Sequence, residues 1–417
     1  MANITDMQKD SIRCRVLKAV DEVKITDIHT HIYNQSFGDI LLWGIDELIT
    51  YHYLVAETLR WGVISPEDYW KLNKKEQADI IWKTLFVDHI PFSEACRGVL
   101  TVLDKLGLDT SARNLNEYRK FFQSQNLEKY VDTVFETAGV ESVVMTNDPF
   151  DDLERPSWLN NAPRDERFHA ALRIDPILIN WATAASKIKD WGYDVTPELT
   201  EKTCLEICRF LGDWVDKMKA LYLAVSLTPD FRFPDDSEQT LIIEKCILPV
   251  CREKGIPFAL MIGVKRLINP RLKLAGDGVG AGDVNSVENL CSNYPDNKFM
   301  VTMLSRENQH ELTVAARKFS NLFLFGCWWF LNNPCFIEEM TNMRFDLLGP
   351  NVVPQHSDAR VLDQLIYKWW HSRDIIGEVL SEKIINLSAT GWIPTDEEIK
   401  RDVKALFGGN FWDYLKR

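Results

Sequence analysis

The sequence predicts an α/β fold, a (β/α)8 barrel of the TIM type, because short apolar segments alternate with stretches of helical period. Eight apolar or β-branched segments bounded by turn residues are predicted to be buried strands, at 24–32, 140–146, 168–174, 221–227, 257–264, 298–304, 322–328 and 351–355. Helical spacing separates most of them, as at 205–221, 239–254 and 309–319. Strands that alternate with helices form parallel sheets, and eight is the number of strands that this barrel requires.

The gap between the first and second predicted strands is too long for one crossover helix. Residues 36–136 contain several stretches of helical apolar spacing, so we predict a helical insertion that packs over the barrel mouth within a single domain, 1–417. The last segment, 361–417, is also helical in pattern. Thr395, followed by three acidic residues, is predicted to cap a helix there.

Composition excludes several classes of function. The formal net charge is −13, with no basic block to offset it, which disfavours binding to nucleic acid or to an acidic membrane surface. No apolar run reaches the roughly 18 residues that a membrane span needs, and the first thirty residues lack a signal-peptide pattern. The 9 cysteines include no CxxC pair, which favours reduced thiols. We therefore expect a cytoplasmic homo-oligomer that acts on a small molecule.

A metal site is predicted where the first and last strands end. His29 and His31 are two residues apart on an extended strand, so both imidazoles point the same way while Thr30 faces away. Asp358, after the eighth predicted strand, would complete a His2Asp set with open positions, which is typical of a catalytic metal site. The cation would act as a Lewis acid. Zn²⁺ suits such ligands best, and Mn²⁺, Fe²⁺ or Co²⁺ would also fit.

The other predicted strands also end in chemically capable side chains, and barrel enzymes place their chemistry at these ends. In chain order the strand-end residues are His29 and His31; Asn147 and Asp148; Arg173 and Asp175; Ser226 and Thr228; Lys265 and Arg266; Ser305, Arg306 and Glu307; Trp328 and Trp329; His356, Asp358 and Arg360. An anionic substrate would need such locally placed arginines, given the negative net charge.

Five separated motifs carry a resemblance to a known family. They are Asp27-Ile28-His29-Thr30-His31, Tyr51-His52-Tyr53, Arg306-Glu307-Asn308, Trp328-Trp329 and Asp358-Ala359-Arg360. Together they resemble the uronate isomerase (glucuronate isomerase) family of the amidohydrolase superfamily, over essentially the whole chain. Two departures are the short chain and Ala359, which stands where a serine is usual.

The resemblance implies a distorted (β/α)8 barrel and two reversible reactions, between D-glucuronate and D-fructuronate and between D-galacturonate and D-tagaturonate. It also implies that His29, His31 and Asp358 hold one divalent metal. Such an isomerisation moves a proton between C2 and C1 through an enediol. We expect Arg360 to stabilise the enediolate charge, and Tyr53 or Asp358 to carry the proton, with Tyr53 preferred because a ligated carboxylate is a weaker base.

Binding of the sugar acid is assigned to five further side chains. Arg173 and Arg306 end the third and sixth predicted strands and are expected to bind the substrate carboxylate in bidentate fashion. His52 would add a contact. Trp328 and Trp329 are expected to wall the pocket, although alternation along a strand would turn one of them into the core.

Two other functions remain open at the level of sequence. One is a mononuclear metal-dependent hydrolase of the same superfamily. The bridging Lys or Glu and the additional histidines of binuclear hydrolases are missing from the predicted strands four to six, which counts against hydrolysis by a bridged hydroxide. The other is a non-catalytic protein that binds sugar acids.

Overall fold

Seven parallel strands form the curved central sheet of the computed structural model, which describes residues 5–417. Each strand pairs with the next along the chain, and nearly every strand residue is buried, as expected where helices cover a parallel sheet. The strands are β1 (Ile25–Thr30), β2 (Val140–Asn147), β3 (Phe168–Arg173), β4 (Leu223–Leu227), β5 (Phe258–Ile262), β6 (Phe299–Met303) and β7 (Leu322–Leu324).

The eighth predicted strand, 351–355, does not form as a regular strand. On the side of β7 it forms only an isolated parallel bridge, between Val353 and Phe325. In this bridge the Gly326 amide donates to the Val353 carbonyl at 2.9 Å. The next residue, Pro354, has no amide hydrogen to continue the ladder. The prediction of a regular strand here is wrong.

The same segment nevertheless reaches β1 and closes the barrel. The Asp358 amide donates to the His29 carbonyl at 3.2 Å, and the His31 amide donates to the Ala359 carbonyl at 2.7 Å. Asp358 has φ of 53°, which no strand residue adopts. The fold is therefore a distorted (β/α)8 barrel in which an irregular segment occupies the eighth position.

Helices surround this barrel, and several of them lie between β1 and β2. The α-helices are Asp6–Glu22, Ile45–Ile49, His52–Arg60, Pro66–Tyr69, Lys74–Trp82, Glu94–Lys105, Leu115–Gln123, Leu127–Ala138, Arg155–Leu159, Asp175–Ile179, Trp181–Asp190, Glu201–Met218, Glu238–Ile242, Leu248–Lys254, Val284–Asn293, Gln309–Ala316, Pro334–Leu348, Gln364–Ser388, Asp396–Lys404 and Asn410–Lys416. Short π-helical turns extend three of these, at Lys83–Val87, Ile243–Ile247 and Ala405–Gly409. Five 3-10 turns lie at Gln35–Ile40, Thr110–Ala112, Pro270–Gly276, Arg306–Asn308 and Trp329–Leu331. As predicted, Thr395 caps a helix, since its hydroxyl accepts from the Glu398 amide.

A loop between β5 and β6 meets the inserted helices. Its base is a two-stranded antiparallel hairpin, Val264–Lys265 with Gly278–Val279. At its tip, Arg271 forms two 2.7 Å hydrogen bonds to Glu67, and the Arg271 carbonyl accepts from the Trp70 indole at 2.9 Å. Inserted helices and loop together form a roof over one end of the barrel.

None of the helices in residues 5–417 combines the length and the apolar character needed to cross a membrane.

Candidate active site

A cavity of about 220 Å³ lies at the carboxyl ends of the strands, beneath the roof. Its wall combines basic, acidic, imidazole and aromatic side chains. The lining residues are His29, His31, Tyr51, His52, Arg173, Asp175, Ala224, Val225, Ser226, Met261, Arg266, Leu274, Trp328, Trp329, Asp358 and Arg360. Most of the residues predicted from strand ends thus meet in one place.

Three of these side chains converge as metal ligands would. Asp358 Oδ1 lies 3.7 Å from His29 Nε2 and 3.4 Å from His31 Nε2. One ligand atom from each residue lies within 4.8 Å of the others, and no second group of three His, Cys, Asp or Glu side chains converges in this way within residues 5–417. The irregular closure of the barrel therefore places Asp358, which lies after the last barrel strand, next to His29 and His31, which lie at the first strand.

The unsatisfied atoms of this cluster fit a cation. His29 Nε2 and Asp358 Oδ1 are buried and have no hydrogen-bond partner among the described residues. Buried polar atoms are normally paired, so two such atoms facing one another call for a group between them. Two neutral imidazoles and a carboxylate are a donor set that a divalent metal accepts.

Burial also sets the protonation states that such a site requires. Desolvation lowers the pKa of His29 from its ordinary value of 6.5 to about 3, and neighbouring His31 adds to the effect. Desolvation likewise holds the pKa of His31 well below its usual range, with Arg360 contributing. Both imidazoles are therefore neutral at neutral pH and keep a lone pair free for a metal.

A buried carboxylate holds the segment that carries Asp358. Asp27 accepts from the Ser357 amide at 3.1 and 3.3 Å and from the Trp369 indole at 2.8 Å. Burial raises the pKa of Asp27 to about 6, although the hydrogen bonds from Ser357 and Trp369 oppose the rise. Asp27, which opens the histidine motif, thus ties β1 directly to the closing segment.

Three guanidinium groups line the cavity. Arg173 is paired with Asp175 through contacts of 2.8 and 3.2 Å, and Arg266 is paired with Asp277 at 2.6 Å. The Arg360 side chain forms no hydrogen bond or ion pair with the residues that the structure describes. Of the three guanidinium groups, that of Arg360 is therefore the most available to pair with a bound anion.

Arg306, predicted to bind the substrate carboxylate, is not brought into the cavity. Its guanidinium forms two 3.0 Å contacts with Glu339, and 55% of its side chain is exposed. Two residues after the end of β6 the chain turns into the 3-10 helix Arg306–Asn308, and the Arg306 side chain lies on the outside of this turn. Arg266 lines the wall instead. Its sequence signal is the Lys265-Arg266 pair after the fifth predicted strand, which resembles the other strand-end polar pairs.

Tyr53, the preferred proton carrier, also lies outside the lining. Tyr51 and His52 line the cavity, and the Tyr53 ring packs behind them at 4.9 Å from Tyr51 and 4.5 Å from His52. Burial holds the pKa of Tyr53 well above its usual value of 10, so this phenol keeps its proton. Both ring nitrogens of His52 are buried without a hydrogen-bond partner in the described chain, which leaves them available to a ligand.

Both tryptophans reach the cavity. The seventh strand ends at Leu324, four residues earlier than predicted, because Gly326 adopts φ of 62°. Trp328 and Trp329 therefore lie in a loop and a 3-10 turn, where strand alternation no longer applies. This is why neither of them is confined to the barrel core.

His356, a strand-end residue that was not predicted to take part in the site, adds a buried imidazole next to His29. Its ring centroid lies 5.2 Å from that of His29, and neither ring nitrogen has a partner among the described residues. Gly326 is required beside it, because a Cβ atom there would come within 1.7 Å of the imidazole.

Comparison with solved structures gives full-length similarities. The crystal structure of a uronate isomerase from Bacillus halodurans shares 54% identity, covers 100% of this chain and 98% of its own, and superposes with a TM-score of 0.97. A uronate isomerase from Thermotoga maritima (16% identity, 97% of both chains) and a glucuronate isomerase from Caulobacter crescentus (14% identity, 99% of this chain and 95% of that one) each give a TM-score of 0.78. These two show a shared fold.

Neither the protein-family models nor the curated proteins that were compared with the chain give a match.

Proposed function

The chain belongs to the uronate isomerase family, and from that premise we propose that it interconverts D-glucuronate with D-fructuronate and D-galacturonate with D-tagaturonate. The observation that carries the proposal is 54% identity over the whole chain with the Bacillus halodurans enzyme. The class of reaction is aldose–ketose isomerisation. In the cell we expect a cytoplasmic homo-oligomer.

One divalent metal, with Zn²⁺ preferred, would be held by His29, His31 and Asp358. The convergence of these three groups and the unpaired His29 Nε2 and Asp358 Oδ1 support this assignment. When bound, the cation supplies Lewis acidity to the oxygens of the substrate.

The chain's own residues must move a proton between two carbons. In the aldose, a base takes the C2 proton, the C1 carbonyl oxygen gains a proton, and an enediol results; returning a proton to C1 while the C2 hydroxyl loses its own gives the ketose. Asp358 is the better candidate for this base, because its carboxylate lines the cavity and can accept a proton. Tyr53 keeps its proton and lies behind the lining, which suits it to a supporting role.

Charge on the substrate would be matched by the cavity arginines. We assign Arg360, whose side chain is unpaired in the described structure, to the enediolate oxygen that becomes charged during reaction. Arg173 and Arg266 are assigned to the uronate carboxylate, since both line the cavity and each keeps N–H donors that its aspartate partner does not use. Trp328 and Trp329 would cover the apolar face of the sugar, with His52 donating or accepting at a hydroxyl.

A metal-dependent hydrolase is the less favoured function. β4 ends in Ser226 and Leu227, and Lys265 and Ser305 come after β5 and β6, so none of these three strands brings a bridging carboxylate or an additional histidine to the cation site. The relative with 54% identity is an isomerase. A sugar-acid binding protein without activity would not need three arginines around a complete set of metal ligands.

The test is to incubate purified, Zn²⁺-loaded protein with each of the four uronates in D₂O and to follow the products by NMR. Formation of the partner ketose or aldose is expected, with solvent deuterium entering the product at C1 or C2. If no uronate is converted in either direction, the proposed function is wrong.

A further inference from the structure

Two hydroxyl groups behave alike behind the proposed metal ligands. The Tyr222 hydroxyl donates to the Ile28 carbonyl at 2.8 Å and lies 3.1 Å from His29 Nδ1. The Thr146 hydroxyl donates to the Thr30 carbonyl at 2.9 Å and lies 2.7 Å from His31 Nδ1. In each case the carbonyl belongs to the residue that precedes the histidine.

This pattern fixes where the imidazole protons lie. A hydroxyl has a single hydrogen, so one that donates to a carbonyl can only accept from its second neighbour. Nδ1 of His29 and of His31 must then carry the proton, and each Nε2 keeps its lone pair. With the opposite tautomer, each hydroxyl would have to turn its hydrogen to Nδ1 and abandon the carbonyl. Because these carbonyls are buried, leaving one of them without a hydrogen bond costs free energy.

The packing inside the barrel allows the Tyr222 hydroxyl to reach the His29 imidazole. Tyr222 directly precedes β4 and is fully buried, inside the apolar cluster within the barrel that also contains Ala171, Ala224 and Ala259. These short side chains on neighbouring strands leave room for a long phenol to rise through the core toward His29. Thr146 reaches His31 from the end of β2, the strand that pairs with β1.

We propose that Tyr222 and Thr146 are positioning residues that hold His29 and His31 as Nδ1–H tautomers with Nε2 turned toward Asp358. The inference rests on the proposed metal site, to which it adds the two groups that prepare the ligands before a metal arrives. Hydrogen-bond partners of metal-binding histidines typically contribute about 10- to 100-fold to metal affinity. Neither residue touches the cavity, so both would act only through the imidazoles.

The experiment compares Tyr222→Phe and Thr146→Val with wild type in two measurements. The first is the ¹⁵N NMR spectrum of histidine-labelled, metal-free protein, which reports the tautomer of each imidazole directly. The second is Zn²⁺ affinity by competition with a chelator. We expect each variant to lose the Nδ1–H tautomer at its own histidine and to bind Zn²⁺ about 10- to 100-fold more weakly. Thr146→Ser, which keeps the hydroxyl, should restore both properties.

Matched controls remove a similar hydroxyl elsewhere. The Tyr414 hydroxyl is buried, donates to the Asn321 carbonyl at 2.6 Å and accepts from the Phe299 amide at 3.0 Å. The Thr313 hydroxyl is buried and donates to the Gln309 carbonyl at 2.6 Å. Tyr414→Phe and Thr313→Val should leave the tautomers and Zn²⁺ affinity of wild type unchanged.

The possible failures are distinguishable. If wild type binds Zn²⁺ but Tyr222→Phe and Thr146→Val bind it equally well, or if their histidine tautomers are unaltered, the positioning role is wrong while the metal site stands. If wild type binds no metal, the metal site is wrong, and the ¹⁵N spectra of the metal-free proteins still decide the tautomer question. Should Tyr222→Phe not fold, the Thr146 series decides alone.

Discussion

The floor and the roof of the cavity are held in different ways. On the floor, His29 and Asp358 are buried and His31 is half-buried, and the backbone and hydroxyl contacts that fix these three residues lie inside the barrel. On the roof, the loop of residues 266–277 is held to the inserted helices by Arg271 and Glu67, which are largely exposed. Buried contacts of this kind fix geometry closely, whereas exposed ion pairs contribute little. From this difference we expect the chemical step to depend on the floor, whereas the roof contributes to the cavity wall through residues such as Arg266 and Leu274.

The largest effect is expected from the floor. Asp358→Asn removes the anionic metal ligand and the preferred proton acceptor, so kcat should fall at least about 10²-fold. Steady-state kinetics with D-glucuronate, together with metal analysis, measures this. The matched control is Asp346→Asn, an aspartate paired with Lys383 on the surface, which should retain activity. Full activity in Asp358→Asn would place the chemistry elsewhere.

A second comparison uses two arginines that the sequence could not separate. Arg173→Met should weaken uronate binding by about 2 to 3 kcal/mol, because a charge-assisted contact is lost and the carboxylate is left partly unpaired. Arg306→Met, on the outer surface, should leave KM and kcat at wild-type values. Binding of a non-reacting uronate analogue by calorimetry checks both. Equal losses in the two variants would mean that Arg306 reaches the substrate after all.

Particular residues show what the sequence can and cannot predict. The His29 and His31 pair was readable because period two on a strand fixes direction, and Asp358 because it follows the last apolar segment. Direction after a strand end is not periodic, so Arg306 could not be distinguished from Arg266. The role of Tyr222 could not be predicted, because this residue precedes β4 and so lies at the amino end of the strands, where barrel active sites are not expected. Its hydroxyl reaches His29 only because the neighbouring strand residues are small, and that packing cannot be deduced from the sequence.

A smaller effect follows from the burial of the floor histidines. The pKa of His29 is lowered to about 3 and that of His31 well below 6.5, so below pH 6.5 each of these two histidines binds a proton more readily in the unfolded chain than in the folded one. The contribution of these two histidines to the free energy of unfolding of the metal-free protein therefore falls as pH drops through 6.5, whereas a buried carboxyl such as Asp27, whose pKa is raised to about 6, acts in the opposite direction. At about pH 5.5 the loss should be about 1.4 kcal/mol for His29, and His31 should add a loss of the same sign.

Urea unfolding with a chelator, at neutral pH and at about pH 5.5, measures this loss. The comparison protein is His29→Gln/His31→Gln, in which other titrating groups are retained. Its stability should fall less over the same interval, by the sum of the two histidine contributions. If the free energy of unfolding changed equally with pH in the two proteins, the two histidines would titrate in the folded protein as they do in the unfolded chain, and the prediction would be wrong.

The smallest effect is expected from the roof. Arg271→Met removes both hydrogen bonds to Glu67 but leaves the Trp70 contact, which uses the Arg271 backbone carbonyl. Because the ion pair is exposed, thermal stability should not change measurably. The loop also contributes Arg266 and Leu274 to the cavity wall, so a looser loop should raise KM slightly while kcat stays at the wild-type value. Differential scanning calorimetry and steady-state kinetics check the two halves of this expectation. A fall in kcat as large as that of Asp358→Asn would mean that the roof takes part in the chemical step, and the division between floor and roof would then be wrong.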